Sequence, residues 1–119
     1  MESNIKWIKV FESESEISWQ ENNMCIVTVD ETMLTIAKLK NQLFAFAHKC
    51  PHAGGIMAEG YIDVLGNAVC PVHKYRFSIK TGRNVTGEDY LKIYLIESSE
   101  SGVYIGFKEK NFNFIKENK

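Results

Sequence analysis

Two short clusters of metal-binding side chains restrict the fold of this chain more than any other feature of its sequence. Cys50-Pro-His52 and Cys70-Pro-Val-His73 contain two of the three cysteines and two of the three histidines. Residues 61–70 between them have the pattern of a hairpin, with a turn at Gly66-Asn67. A hairpin returns its second strand beside the start of its first, so the fold must bring the two clusters together. The sequence therefore predicts one site with two sulfur and two imidazole donors.

The rest of the chain predicts short β-strands separated by turns. Apolar or alternating runs occupy 25–29, 33–39, 43–48, 75–79, 91–97 and 103–108. Lys40-Asn41-Gln42 is a predicted hairpin turn, and residues 12–23, rich in Glu and Ser, predict a loop with a helical turn. The polar tail after Lys108 is expected to be frayed. Together these patterns indicate an all-β fold, in which small antiparallel sheets form a barrel-like sandwich.

Length, charge and cysteine content exclude several classes of protein. The 119 residues fit one domain spanning 1–119, and the net charge of −1 gives no reason to expect nucleic acid or a membrane surface as partner. No run approaches the roughly 18 apolar residues of a membrane-spanning helix. The first ten residues lack the pattern of a signal peptide, and three cysteines make a poor disulfide scaffold. We therefore expect a soluble cytoplasmic protein whose clustered Cys and His residues bind metal or catalyse a reaction.

Two cysteines and two histidines can hold one zinc ion or one iron–sulfur cluster. Structural zinc sites commonly take like ligands from each loop, whereas each loop here supplies one Cys and one His. A Rieske centre has two Cys on one iron and two His on the other, and two mixed loops can span such a pair. A zinc-stabilised binding module remains an alternative, and so does a pair of core thiols with unrelated surface histidines.

The two loops resemble a known family. "CPHAGG" (50–55) and "CPVHKYRFSIKTG" (70–82) are similar to the cluster-binding loops of Rieske [2Fe–2S] proteins, in particular the small Rieske ferredoxins. "LKNQLFAFAHKCPH" (39–52) looks like the hairpin that leads into the first loop, and the resemblance covers roughly residues 24–108. It implies small antiparallel sheets carrying a cluster-binding subdomain, with its loops at about 48–60 and 70–77.

The resemblance also implies a ligand set for one [2Fe–2S] cluster. Cys50 and Cys70 would bind the buried iron, and His52 and His73 would bind the outer iron near the surface. Neutral imidazoles in place of two thiolates raise the reduction potential relative to an all-cysteine cluster. The imidazole end of the site is therefore the expected route for electrons.

Several positions differ from those of other family members. High-potential members have serine and tyrosine hydroxyls where this chain has Tyr75 and Phe77, and a disulfide where it has Gly55 and Val72. These differences imply a centre of low potential. Lys74 replaces a glycine that ferredoxin-like members usually have. Two further departures are Ile56-Met57 in place of proline-leucine and the absence of a proline at 87–89.

Other side chains near the loops have more modest expected roles. Gly54 and Gly55 would let backbone N–H groups approach the cluster sulfurs. Lys74 and Arg76 are candidates to stabilise the negative charge of the reduced cluster. His48 is expected on the surface, and Cys25 in the core. The expected docking rim for a redox partner consists of Ala53, Gly54, Ile56, Met57, Lys74 and Tyr75.

The function that the resemblance implies is one-electron transfer. The chain would carry electrons from a flavin-dependent reductase to an acceptor protein, such as the oxygenase component of an aromatic-ring oxygenase system. It would be a carrier without catalytic residues and a monomer in isolation. The alternative is a small redox subunit of a cytoplasmic nitrite reductase, since small Rieske-type chains also resemble that subunit.

Overall fold

The computed structural model describes residues 4–52 and 54–109, and these form nine β-strands and two single-turn 3-10 helices. The strands are β1 (Asn4–Phe11), β2 (Met24–Val29), β3 (Thr32–Leu39), β4 (Gln42–Ala47), β5 (Tyr61–Ile62), β6 (Asn67–Val69), β7 (Arg76–Ser78), β8 (Ile93–Ser99) and β9 (Gly102–Glu109). The 3-10 helices span Glu14–Glu16 and Met57–Glu59. None of the described helices is long and apolar enough to cross a membrane. All of the predicted frayed tail except Glu109 lies outside the described residues, as does Ala53 of the expected rim.

The strands form two antiparallel sheets. A six-stranded sheet has the order β1-β9-β8-β4-β3-β2, and a three-stranded sheet has the order β5-β6-β7. The second sheet is inserted in sequence between β4 and β8, which are neighbours in the first. The predicted all-β class of small antiparallel sheets is confirmed, and so is the helical turn within 12–23.

One strand was not predicted from the sequence. The segment that forms β1 contains five apolar residues among eight, yet its Ile5 and Trp7 side chains remain 39% and 40% exposed. It is a strand because it pairs with β9, for example Ile8 with Ile105, from the far end of the described chain. Such long-range pairing leaves little trace in local sequence.

The β3–β4 hairpin has the turn that the sequence predicts. Lys40 and Asn41 adopt left-handed backbone conformations, with φ of 53° and 64°, and Leu39 pairs directly with Gln42. Two consecutive residues with positive φ are typical of a two-residue turn whose twist matches that of the flanking strands. The turn sets the register of β4, and the strand then leads directly into the first Cys-His cluster.

The predicted 61–70 hairpin is present but shorter than expected. Residues 63–66 form its turn, in which the Asp63 carboxylate accepts hydrogen bonds from the N–H groups of Leu65 (3.0 Å) and Asn67 (2.9 Å). At the other end, Tyr61 pairs with Val69, so Cys70 lies beside the start of the hairpin as predicted.

Buried side chains form two hydrophobic cores on opposite faces of the central strands. Neighbouring residues of β3 and β4 point to opposite faces, so Ile36 and Ala45 enter one core and Ala37 and Phe46 the other. The first, called here the sheet core, comprises Ile17, Val29, Leu34, Ile36, Ala45, Val103 and Ile105. The second, called the site core, comprises Met24, Ala37, Phe46, Cys50, Met57, Ala58, Ala68, Cys70, Phe77, Ile79 and Leu91.

The site core anchors both Cys-His clusters to the large sheet. Phe46 and Phe77 are fully buried in it, and each such side chain contributes about 1.5–3 kcal/mol by leaving water. Cys25, which was expected in the core, is only half-buried and packs against the edge of the sheet core. Partial burial still raises the pKa of its thiol, an effect opposed by a backbone hydrogen bond at Ser18.

Candidate metal centre

The two Cys-His clusters fold into loops with the same backbone hydrogen bonds. In the first loop, Cys50–Gly55, the N–H of Cys50 donates to the carbonyl of Gly55 (2.8 Å), and the N–H of Gly54 donates to the carbonyl of Cys50 (2.9 Å). In the second loop, Cys70–Tyr75, Cys70 donates to Tyr75 (2.8 Å) and Lys74 donates to Cys70 (3.0 Å). Each loop therefore has six residues and begins with its cysteine.

The fifth residue of each loop has a left-handed backbone. Gly54 has a φ of 73° and Lys74 a φ of 61°. Glycine adopts this region freely, whereas the Cβ atom of other residues makes it unfavourable by about 1–2 kcal/mol. The second loop therefore keeps the geometry of the first even though it has a lysine where the first loop has a glycine.

Each loop is closed by elements of the fold. The first follows β4 and is held by a bridge between Lys49 and Ile56 and by a hydrogen bond from the N–H of Met57 to the carbonyl of His48 (2.9 Å). The second connects β6 to β7, which pair up to Val69 and Arg76. Both loops are thus tips of antiparallel ladders, and their positions follow from the register of the strands.

The two cysteines meet in the site core. Cys50 is 3% exposed and Cys70 is fully buried, and their side chains are within hydrogen-bonding contact. Burial raises the pKa of the Cys70 thiol, the backbone hydrogen bond at Val72 lowers it, and the contact with Cys50 raises it again. The net effect favours the neutral thiol, so two thiolates at this place require a bound cation.

Gly55 is the point where the two loops touch. A Cβ atom at this position would lie 2.6 Å from Cγ2 of Val72 and 3.0 Å from Sγ of Cys70. Backbone hydrogen bonding from Gly55 also lowers the pKa of the Cys70 thiol. A side chain at this position would clash with Val72 and crowd the sulfur, so the close approach of the two loops requires glycine here. Gly55 and Val72 therefore face each other between the two loops.

The two histidines lie on the surface beside Tyr75. The ring of His52 is 4.2 Å from the Tyr75 ring, centroid to centroid, and that of His73 is 6.2 Å from it. Both imidazoles are exposed, in contrast to the cysteines. In addition, Nδ1 of His52 lies 2.9 Å from Oδ2 of Asp89. The sequence analysis missed Asp89, since no local pattern relates it to a residue 37 positions away.

The donor set fits two metal ions with two protein ligands each. Two sulfurs meet in the core, and two imidazoles lie at the surface. A tetrahedral structural zinc ion takes four protein ligands, whereas a Rieske cluster takes two at each iron. The division between buried sulfur and exposed imidazole is the one that such a cluster requires.

Two expectations about the surroundings of the site are wrong. Met57, expected on the docking rim, is fully buried in the site core because the 3-10 helix turns it inward. His48, expected on the surface, is half-buried, and its Nδ1 has no hydrogen-bond partner in the described structure. Arg76, a candidate to stabilise the negative charge of the reduced cluster, forms an ion pair with Asp63 at 2.7 Å. By contrast, Lys74 is exposed as expected.

Comparison with protein families identifies the fold and its site. The family model for the Rieske [2Fe–2S] domain matches residues 6–94, which include both loops. The chain belongs to the Rieske [2Fe–2S] domain family. The predicted family and its Rieske-type [2Fe–2S] cluster are thereby confirmed.

Curated Rieske proteins similar to this chain are ferredoxins of dioxygenase systems. The ferredoxin component of the naphthalene 1,2-dioxygenase system of Pseudomonas putida is 30% identical over 80 residues, which are 66% of this chain and 72% of that protein. The ferredoxin subunit of 3-phenylpropionate/cinnamic acid dioxygenase from Photorhabdus laumondii is 28% identical over 71 residues, or 58% of this chain and 68% of that protein.

Solved structures confirm the Rieske fold. A chain in the complex of reduced oxygenase and oxidized ferredoxin in carbazole 1,9a-dioxygenase superposes with a TM-score of 0.71 at 24% identity, covering 87% of this chain and 95% of that one. A Mycobacterium tuberculosis protein assigned as the small subunit of an NADH-dependent nitrite reductase gives a TM-score of 0.76 at 15% identity, covering 90% and 99%. At these identities the likeness concerns the fold alone.

Proposed function

We propose that this protein is a one-electron carrier of the Rieske ferredoxin type, in which Cys50, Cys70, His52 and His73 hold the cluster. The observation that carries the proposal is the pair of matching loops, which brings two buried sulfurs together and leaves two imidazoles exposed. When bound, a [2Fe–2S] cluster supplies reversible one-electron chemistry. In this proposal residues 1–119 act as one domain, with the cluster-binding loops at about 48–60 and 70–77.

The residues around the sulfurs have a clear electrostatic role. The thiols lie in an apolar core, where an isolated negative charge is unfavourable. Backbone hydrogen bonds from Val72 and Gly55 lower the pKa of the Cys70 thiol, because hydrogen bonds to a thiolate favour its charged form. These two donors therefore offset part of the unfavourable burial and stabilise a thiolate ligand without adding a charged side chain.

The residues around the imidazoles form the proposed exit for electrons. His52 and His73 are exposed, Val72 is 45% exposed, and Tyr75 lies between the two rings in a half-buried position. Val72 and Tyr75 supply the apolar part of this surface, beside the imidazoles and the exposed Lys74, and a small surface of this kind suits a transient complex. The docking surface is thus defined by the second loop more than by the 3-10 helix that contains Met57.

The oxygenase component of an aromatic dioxygenase is the proposed electron acceptor, and a flavin-dependent reductase the proposed donor. Support comes from the relatives, which are ferredoxin components of such systems. We further propose that the protein has no catalytic residues of its own and acts in the cytoplasm as a monomer. Transfer from a reductase to a purified dioxygenase component, followed by stopped-flow absorbance, tests this pairing.

The second candidate function is that of a redox subunit in a nitrite reductase. The fold likeness to the Mycobacterium tuberculosis protein favours it, because that likeness covers 90% of this chain. The two candidates differ in the strength of association. A subunit co-purifies with a large catalytic chain at low concentration, whereas a carrier elutes alone in size-exclusion chromatography and exchanges electrons with its partner in transient encounters.

Ligand replacement tests the proposed site. Each chain of the purified protein should contain two irons and two acid-labile sulfides. The reduced form should give a Rieske EPR signal. Cys50→Ser and Cys70→Ser should abolish that signal. Cys25→Ser is the matched control, because this third cysteine lies half-buried against the sheet core and should be dispensable. Stoichiometric zinc without iron after growth in iron-rich medium would refute the proposal.

A further inference from the structure

The 3-10 helix that follows the first loop lies, together with Gly60, between the bases of the two Cys-His loops. On the side of the first loop, the N–H of Met57 donates to the carbonyl of His48 (2.9 Å), just before that loop begins. On the side of the second loop, a Cβ atom at Gly60 would collide with the carbonyl oxygen of Val69 and lie 3.3 Å from Cδ of Pro71, the residues that flank the second cysteine. The position of this segment therefore sets the separation of the two loops.

Asn22 fixes this segment to the large sheet. Its Nδ2 amide group donates to the carbonyls of Ala58 (2.8 Å) and Gly60 (2.9 Å). Its Oδ1 accepts hydrogen bonds from the N–H of Met24 (3.2 Å), the first residue of β2, and from Nε2 of Gln20 (3.0 Å). Asn22 is half-buried, and Ala58 is fully buried. The donor and acceptor atoms of one side-chain amide thus connect β2 to the segment between the loops.

We propose that Asn22 is a positioning residue of the metal centre, which holds the two Cys-His loops at the separation that cluster binding requires. The proposal rests on the proposed function, because it takes these loops as the source of the ligands. Residues that orient ligands without touching the metal typically change metal affinity by about ten- to hundredfold. Asn22 acts through the backbone, since the carbonyls that it binds belong to the segment packed against both loops.

The test measures the rate at which the purified protein releases iron to an excess of chelator. Asn22→Ala removes a donor from the carbonyls of Ala58 and Gly60, and Asn22→Asp keeps the acceptor for Met24 but places an oxygen against those carbonyls. We expect each variant to release iron about tenfold faster than the wild-type protein. Gln20→Ala removes one donor from Ala58 but keeps Asn22, so its release should be about threefold faster. This milder variant replaces the other two if they fail to fold.

Loss of global stability also releases iron, so the control is a destabilised variant without a bond to this segment. Asp63→Ala removes the acceptor that holds the turn at the opposite end of the 61–70 hairpin. At an equal loss in the free energy of unfolding, it should release iron less than about twofold faster than the wild-type protein. The second readout is hydrogen exchange in peptides that cover residues 57–60, followed by mass spectrometry. Exchange should be about tenfold faster in the Asn22 variants and unchanged in Asp63→Ala.

The outcomes separate this proposal from the proposed function. Iron release at the wild-type rate in the Asn22 variants would overturn the role of Asn22. Equal acceleration of iron release in Asp63→Ala would do the same, because the effect would then be one of global stability. Absence of stoichiometric iron and of the Rieske EPR signal from the wild-type protein would instead overturn the ligand assignment itself, and hydrogen exchange would still show whether Asn22 fixes the segment between the loops.

Discussion

Lys74 occupies a backbone conformation that suits glycine, and its replacement by glycine should therefore stabilise the protein. The residue has a φ of 61°, while Gly54, at the matching position of the first loop, has a φ of 73°. A side chain in this region is unfavourable by about 1–2 kcal/mol, and glycine loses about 0.5–1 kcal/mol more backbone entropy on folding. The exposed lysine makes no ion pair within the described residues, so little else is lost. Lys74→Gly should raise the free energy of unfolding by about 0.5–1 kcal/mol.

Gly54→Ala is the reciprocal variant. Apart from its chain neighbours, no atom of the described residues lies within 4 Å of a Cβ placed at Gly54, so the unfavourable backbone conformation is the main expected cost of alanine. We expect this variant to lower the free energy of unfolding by about 1 kcal/mol. Both effects are measured by denaturant unfolding of samples with equal iron content. In thermal unfolding, each would shift the midpoint by roughly 2–5 °C, in opposite directions.

A decrease in stability for Lys74→Gly would refute this reasoning. So would an unchanged stability in both variants, because the left-handed backbone would then carry no measurable penalty in these loops. The result matters for the site, since the N–H of Lys74 donates to the carbonyl of Cys70 at 3.0 Å. A relaxed backbone should preserve this bond, so the EPR signal of Lys74→Gly is expected to match that of the wild-type protein.

Two other predictions concern the Asp63 carboxylate and the reduction potential of the centre. Asp63→Ala should destabilise the protein by about 1–3 kcal/mol in denaturant unfolding, because the donors of Leu65, Asn67 and Arg76 lose their acceptor; the exposed Glu12→Ala should change little. Burial raises the pKa of Asp63, but hydrogen bonds from Asn67 and Arg76 lower it by more, so the net shift is downward. The contribution of Asp63 to the free energy of unfolding should therefore be present at neutral pH and be lost as pH falls through its folded-state pKa. In voltammetry, the midpoint should lie toward the low end of about −150 to +300 mV, since Tyr75 and Phe77 replace the hydroxyl donors. Phe77→Tyr should raise it, and a wild-type midpoint well above zero would contradict the prediction.

The sequence alone was sufficient to predict that the two Cys-His segments meet. The candidate donors Cys50, His52, Cys70 and His73 fall in two short segments, and a hairpin of about ten residues must bring these segments together. Local turn chemistry at Lys40-Asn41 likewise predicted the hairpin that leads into the first loop. These features could be read from the sequence because the interactions that determine them act between residues close in the chain.

The tertiary structure decided the features that depend on distant residues. β1 becomes a strand only by pairing with β9, and Asp89 reaches His52 from 37 positions away. Met57 was expected at the surface, yet the 3-10 helix buries it, and Arg76 is paired by Asp63 across the hairpin. The type of a side chain and its neighbours in sequence do not specify whether it will face the core or the solvent. Its position depends on packing against the site core and on pairing with residues that are distant in the sequence.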